Sequence, residues 1–137
     1  MIRELVHDPI FLAQKSEPAT REDIDTAFDL KDTIYAYQGS CVGMAANMIG
    51  VLKRIIIFDD EGTYSIMFNP EIIEKSEPYE TEESCLSLLG GPRPVTRYNV
   101  IKVKWQNPGD MPYTAVYTGF TAQIIQHEID HCNGILI

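Results

Sequence analysis

The segment Gln126–His131 near the C-terminus constrains this chain most, because it holds two of the three histidines. It reads Gln-His-Glu-Ile-Asp-His, so His127 and His131 are four residues apart and Glu128 follows the first histidine. On a helix, residues at this spacing lie on one face, one turn apart. Both imidazoles can bind one metal ion, with Glu128 in reach of a water molecule beside it. The pattern favours a metal centre over an exposed polar turn.

A third protein ligand is expected upstream of this segment. Hydrolytic zinc centres usually take three protein ligands and leave the fourth position to water. The longer protease pattern has its third histidine where this chain has Ile137. Cys132 lies about 100° further round the helix than His131 and points away from the metal face. Cys41 and Cys85 remain as candidates, and the pattern slightly favours Cys85.

Length, charge and cysteine content limit the classes of function. A chain of 137 residues is enough for one domain, residues 1–137. The net charge of −9 argues against binding to nucleic acid. No apolar run is long enough to span a membrane, and the N-terminus lacks the apolar core of a signal peptide. Three cysteines provide no disulfide framework, which indicates the cytoplasm.

Two amphipathic helices are expected, at residues 21–37 and 120–132. Thr20 is predicted to cap the first helix, with Asp23 in the capping-box position. The sequence Asn133-Gly134 is predicted to end the second. Residues 1–19 show no clear period and are expected to be extended chain.

The sheet is predicted from runs of buried or alternating apolar residues. These runs predict strands at residues 54–58, 64–68, 71–76, 101–105 and 113–117. The small residues of 39–47 indicate a helix-to-strand loop, acidic residues 77–83 indicate a solvated loop, and residues 89–97 are expected to be irregular. The fold class is therefore α+β, with two main helices packed against a mostly antiparallel sheet.

Three motifs, in order, give the chain a resemblance to the peptide deformylases. That family carries a Gly-x-Gly-x-Ala-Ala-x-Gln loop, to which residues 41–47 of this chain are matched. Its Glu-Gly-Cys-Leu-Ser motif is answered by residues 83–87, and its Gln-His-Glu-x-Asp-His motif by residues 126–131. The resemblance extends from Ser16 to Gly134, nearly the whole chain.

The resemblance implies a metal-dependent hydrolase that removes the formyl group from the N-terminal formylmethionine of peptides or nascent proteins. It implies as metal ligands Cys85, His127 and His131. It makes Glu128 the general base and acid, and it assigns the Leu86 backbone N–H and the Asn47 side chain to the developing oxyanion. One divalent ion is implied, Fe²⁺ in the cell, with Zn²⁺ or Ni²⁺ in purified protein.

The resemblance also implies a binding site for the formylated peptide. The backbone of Val42 and Gly43 would pair with the extended peptide. Val42, Phe120, Ile124 and the ring of His127 would line a pocket for the methionine side chain. A transient contact with the ribosome is typical of the family, and the short segment after the third motif argues against it here.

Three departures from the family pattern lead to alternative hypotheses. Cys41 and Ser84 replace glycines, and Asn47 is interpreted as replacing the glutamine, on a stem one methylene shorter. We therefore expect Asn47 to fall short of the oxyanion and turnover to be slow. One alternative is a deformylase-like paralogue with weak or no deformylase activity, acting on another N-acyl group or binding peptides. A small metalloprotease is the other, disfavoured by the missing downstream ligand.

Overall fold

The computed structural model describes residues 1–137, apart from the side chain of Leu89. Its α-helices are α1 (Pro9–Leu12), α2 (Ile24–Ala36) and α3 (Gly119–Cys132). Its strands are β1 (Gly43–Ala45), β2 (Ile55–Asp60), β3 (Thr63–Cys85), β4 (Leu88–Gln106) and β5 (Pro112–Thr118). Short 3-10 helices span Arg21–Asp23 and Ala46–Ile49. The strands form one antiparallel sheet in chain order, which confirms the predicted α+β class.

The sheet is covered on both faces around β2. Ile55 and Ile57 join the apolar cluster that includes α2, whereas Ile56 and Phe58 join the cluster that includes α3. Successive side chains of a strand point to opposite faces, so α2 and α3 lie on opposite sides of the sheet. The continuous apolar run of β2 is typical of a strand buried on both faces.

Helix α2 begins as predicted from its capping residues. The Thr20 hydroxyl accepts the Glu22 N–H at 3.2 Å, and the Asp23 carboxylate accepts the Thr20 N–H at 2.8 Å. This reciprocal pair is a capping box. The first turn is a 3-10 turn, and the α-helix itself begins at Ile24.

The predicted loops at residues 77–83 and 89–97 are wrong. Both segments belong to the long hairpin of β3 and β4, in which Pro78 lies opposite Tyr98 and Glu83 lies opposite Arg93. Most side chains of residues 71–85 are exposed, so the hairpin lacks the apolar alternation from which strands are read. Register shifts interrupt the pairing, and one of them precedes Cys85. The expectation for residues 1–19 also needs correction, because α1 interrupts the extended chain.

Two other segments of the chain hold the C-terminal end of α3 by hydrogen bonds. The Ser16 N–H donates to the Cys132 carbonyl at 2.8 Å, and the Arg54 guanidinium donates to the Asn133 side chain at 2.9 Å. Gly134 follows with φ of 75°, as expected for a residue that ends a helix. Of the helices in the described part of the chain, none is both long and apolar enough to cross a membrane.

Candidate active site

Helix α3 and the end of β3 bring three metal-binding side chains together. His127 and His131 lie one turn apart on α3, and their Nε2 atoms are 3.1 Å from each other. Cys85 is the last residue of β3. The ligand atoms of Cys85, His127 and His131 all lie within 4.8 Å of one another. The residues that the resemblance assigned as ligands therefore form one group.

The distance between the two histidine nitrogens fits a tetrahedrally coordinated ion. Two nitrogens bound at about 2.0–2.1 Å with tetrahedral angles are about 3.3 Å apart. The observed 3.1 Å between the histidine Nε2 atoms is close to that distance. Cys132 packs in the apolar cluster beneath α3, and the Cys41 thiol donates to the Gly43 carbonyl at 2.8 Å. Cys85 is thus the cysteine that joins the histidines.

The electrostatic environment of the histidines favours a cation. Burial and the nearby charge of His127 lower the pKa of His131 to about 3, so this ring is neutral, as a ligand must be. Burial alone would lower the pKa of His127. Hydrogen bonds with Cys85 and Glu83, together with the negative charge of Glu128, outweigh burial and raise the pKa of His127 to about 10. The same negative groups stabilise a bound metal ion.

A buried ion-pair network orients His127 from behind. Its Nδ1 lies 2.8 Å from Glu83 Oε1. Arg97 donates to both oxygens of Glu83 at 2.7–3.1 Å, and also to Asp130 Oδ2 at 2.7 Å. Gln123 donates to the second Glu83 oxygen at 2.9 Å. A carboxylate on the far nitrogen of a ligating histidine fixes the ring and directs the other nitrogen at the metal.

Glu128 has the environment of a proton-transfer group. Its side chain is buried, and Oε1 has no hydrogen-bond partner among the described residues. Burial raises the pKa of Glu128 to about 7, although the charge of His127 opposes the shift. A carboxylate that titrates near neutral pH can both accept and return a proton.

Gly43 is required by the close approach of β1 to α3. A Cβ atom at this position would lie 2.7 Å from Ile124 Cγ2 and 2.9 Å from Glu128 Oε2. Both distances are shorter than real Cβ contacts, so a side chain would displace Ile124 or Glu128. The missing Cβ therefore lets the β1 backbone pass directly beside Glu128.

A pocket of about 340 Å³ opens over these groups. It is lined by the predicted residues Val42, Gly43, Cys85, Leu86, Phe120, Ile124, His127 and Glu128. Phe120 is 63% exposed and Val42 is 42% exposed, whereas Ile124 is buried. Ser84, which replaces a glycine of the family motif, also lines the pocket from an exposed position.

The structure places Asn47 outside the pocket, away from where an oxyanion donor would act. Counting the eight places of the family loop from Cys41 puts its glutamine at position 48, where this chain has Met48. Met48 lines the pocket, and Asn47 is not among the lining residues. Asn47 is fully buried, and its Nδ2 donates to the His131 carbonyl at 3.0 Å. Its amide therefore supports the backbone of a metal ligand instead of facing a substrate.

The comparisons with known proteins agree with this geometry. The family model described as polypeptide deformylase matches residues 2–137. The chain belongs to this family. A peptide deformylase of Clostridium beijerinckii is 51% identical over 137 residues, which is the full length of both chains. Like the other members of the family, this protein is a metal-dependent hydrolase that removes formyl groups. The comparisons support neither the paralogue hypothesis nor the protease hypothesis.

Solved deformylase structures share the fold over nearly the whole chain. The structure of the peptide deformylase from Thermotoga maritima has a TM-score of 0.89 at 32% identity, covering 99% of this chain and 95% of that one. A class I type b peptide deformylase from Acinetobacter baumannii, bound to Met-Ala-Ser, has a TM-score of 0.88 at 30% identity, with coverage of 99% and 97%.

Proposed function

We propose that this deformylase holds its divalent ion with Cys85, His127 and His131, and that Glu128 transfers the proton in the reaction. The observation that carries the proposal is the grouping of the three ligand atoms within 4.8 Å, beside a pocket that the buried Glu128 also lines. Residues 1–137 act as one catalytic domain in this proposal.

The bound ion, Glu128 and the Leu86 backbone have separate roles in the proposed reaction. When bound, a divalent ion acts as a Lewis acid and lowers the pKa of water at the site. Glu128 accepts a proton from the attacking water and delivers it to the nitrogen of the leaving amine. Leu86 lies in the turn directly after Cys85, and its backbone N–H donates to the formyl oxygen as negative charge develops there.

The peptide substrate is proposed to extend along β1. This strand is at one edge of the sheet and pairs with β2 alone, so its other edge has no partner strand and could accept an added one. The backbone of Val42 and Gly43 would pair with the peptide, and Phe120 and Ile124 would contact the methionine side chain. Met-Ala-Ser bound to the similar Acinetobacter baumannii enzyme supports a peptide of this kind.

The proposed ion in the cell is ferrous iron, with zinc or nickel as substitutes. Two imidazoles and a thiolate suit iron and zinc better than magnesium or calcium. Activity of the ferrous form should decay in air through oxidation of the metal or of Cys85, and a nickel-loaded sample should decay more slowly. Equal decay would count against iron as the sensitive component.

The proposed place of action is the cytoplasm, on the N-terminus of a nascent or short peptide. All three cysteines are free, which suits a reducing compartment. A weak or absent contact with the ribosome stays a prediction, and co-sedimentation with ribosomes at low salt would test it.

Formate release tests the proposed function directly. The enzyme is prepared without oxygen, loaded with Fe²⁺, and given formyl-Met-Ala-Ser, acetyl-Met-Ala-Ser or free Met-Ala-Ser. We expect release of the acyl group from the formyl peptide alone. No turnover of the formyl peptide by fully loaded enzyme, or equal turnover of the acetyl peptide, would contradict the proposal.

A further inference from the structure

Met48 forms part of the buried wall of the pocket. Its side chain is 1% exposed and lines the same pocket as Cys85, Leu86 and Glu128. The sulfur accepts a hydrogen bond from the Ala45 N–H at 3.4 Å, which fixes the thioether at this wall. A thioether is a weak acceptor and has no hydrogen to donate. This part of the pocket therefore gives no hydrogen bond to a substrate oxygen.

The other lining side chains do not supply the missing donor. Gln123 directs its Nε2 at Glu83, at 2.9 Å, and the Cys41 thiol donates to the Gly43 carbonyl. Ser40 and Ser84 are exposed residues of the lining. Among the described residues, the pocket interior thus lacks an uncommitted amide or hydroxyl donor beside the metal ligands.

We propose that Met48 limits the turnover of this enzyme, because it leaves the Leu86 backbone N–H as the chain's own donor to the formyl oxygen. The inference rests on the proposed function, in which charge develops on that oxygen. A donor that acts only as charge develops changes kcat more than KM. The side chain at position 48 therefore limits kcat of the known reaction, because it supplies no hydrogen-bond donor.

Glutamine at position 48 is the informative substitution. Methionine and glutamine have side chains of similar length, so the Met48→Gln amide fills the place of the thioether. Its oxygen can accept the Ala45 N–H, and its NH₂ group is then free to donate into the pocket. Met48→Leu is the matched control, since leucine fills a similar volume without any donor.

The experiment measures formate release by wild type, Met48→Gln and Met48→Leu, each with its metal content and melting temperature. A single oxyanion donor is worth about 10²–10³ in rate at an ideal site, and we expect about tenfold or more in kcat for Met48→Gln with little change in KM. Met48→Leu has no donor and should show no such gain in kcat. An unchanged or lower kcat for a folded, loaded Met48→Gln variant overturns the proposal, as does an equal gain for Met48→Leu.

A second readout separates this proposal from the proposed function. The affinity of a peptide hydroxamate for the zinc-loaded proteins is measured by calorimetry, which needs no turnover. We expect Met48→Gln to bind it more tightly than both wild type and Met48→Leu. If wild type releases no formate, the proposed function fails, and the hydroxamate affinities still decide the role of Met48. If Met48→Gln does not fold, Met48→Asn supplies an amide donor in its place, and a kcat above that of Met48→Leu supports the proposal whereas an equal kcat rejects it.

Discussion

Asn47 donates its side-chain amide to the backbone carbonyl of His131 at 3.0 Å, from a position without exposed surface. Asn47→Ala removes this donor, although the His131 carbonyl still accepts the Gly134 N–H at 3.0 Å, and the lost hydrogen bond costs about 0.5–1.5 kcal/mol of the free energy of unfolding. We expect a lower melting temperature and weaker metal binding. At saturating metal, kcat should stay within about threefold of wild type. A fall in kcat of about 100-fold at full metal content would instead make Asn47 an oxyanion donor.

Alkylation should distinguish the three cysteines. Burial, with the charge of Glu128, raises the pKa of Cys41 to about 12, and burial raises that of Cys132 to about 12. Both stay protonated at neutral pH and should react slowly with iodoacetamide. Cys85 should react in metal-free protein and be protected by bound metal, as mass spectrometry of digests would show. Protection of Cys41 in place of Cys85 would overturn the ligand assignment.

Glu83 is expected to strengthen metal binding through His127. Glu83→Gln keeps the shape but loses the charge that faces His127 Nδ1 and Arg97, and loss of such a partner typically lowers metal affinity about 10–100-fold. Competition with a chelator measures the effect. Glu74→Gln, an exposed change on the same strand, is the control. Equal affinities in the two variants would refute a role for the buried network.

Gly43 should not tolerate a side chain. In Gly43→Ala, the new Cβ meets Ile124 and Glu128 at less than 3.0 Å. Displacement of a catalytic group by about 1 Å can cost on the order of 100-fold in rate, and we expect a loss of that order in kcat/KM. Gly109→Ala, in the turn between β4 and β5, should leave activity unchanged. Activity near wild type in Gly43→Ala would show that Glu128 does not need its observed position.

The sequence predicted the site where chemistry depends on local spacing. The i, i+4 pair of His127 and His131 and the adjacent Glu128 need only a helix to face one ion, and α3 provides it. Cys85 came from the family resemblance, because its approach to the histidines depends on the pairing of β3 with β4. Glu83 and Arg97 were not predicted as a network, although the glutamate two residues before Cys85 was a visible signal.

The errors have physical causes in long-range structure. The hairpin of β3 and β4 is mostly exposed, so hydrogen bonding between distant segments decides its structure, and local polarity does not reveal it. Asn47 is an exception, because the eight places of the loop motif, counted from Cys41, put the family's glutamine at position 48. The packing agrees, since Met48 lines the pocket while Asn47 supports the backbone of His131.

The most direct test of the account compares wild type with Glu128→Gln in one ferrous-loaded, oxygen-free preparation. Metal per chain and formate release from formyl-Met-Ala-Ser are measured on the same samples. The glutamine variant keeps Cys85, His127 and His131 but cannot accept the proton from water. We predict one ion per chain in both proteins and a loss of about 100-fold or more in kcat for Glu128→Gln. Turnover near wild type in the fully loaded variant would contradict the proposed role of Glu128.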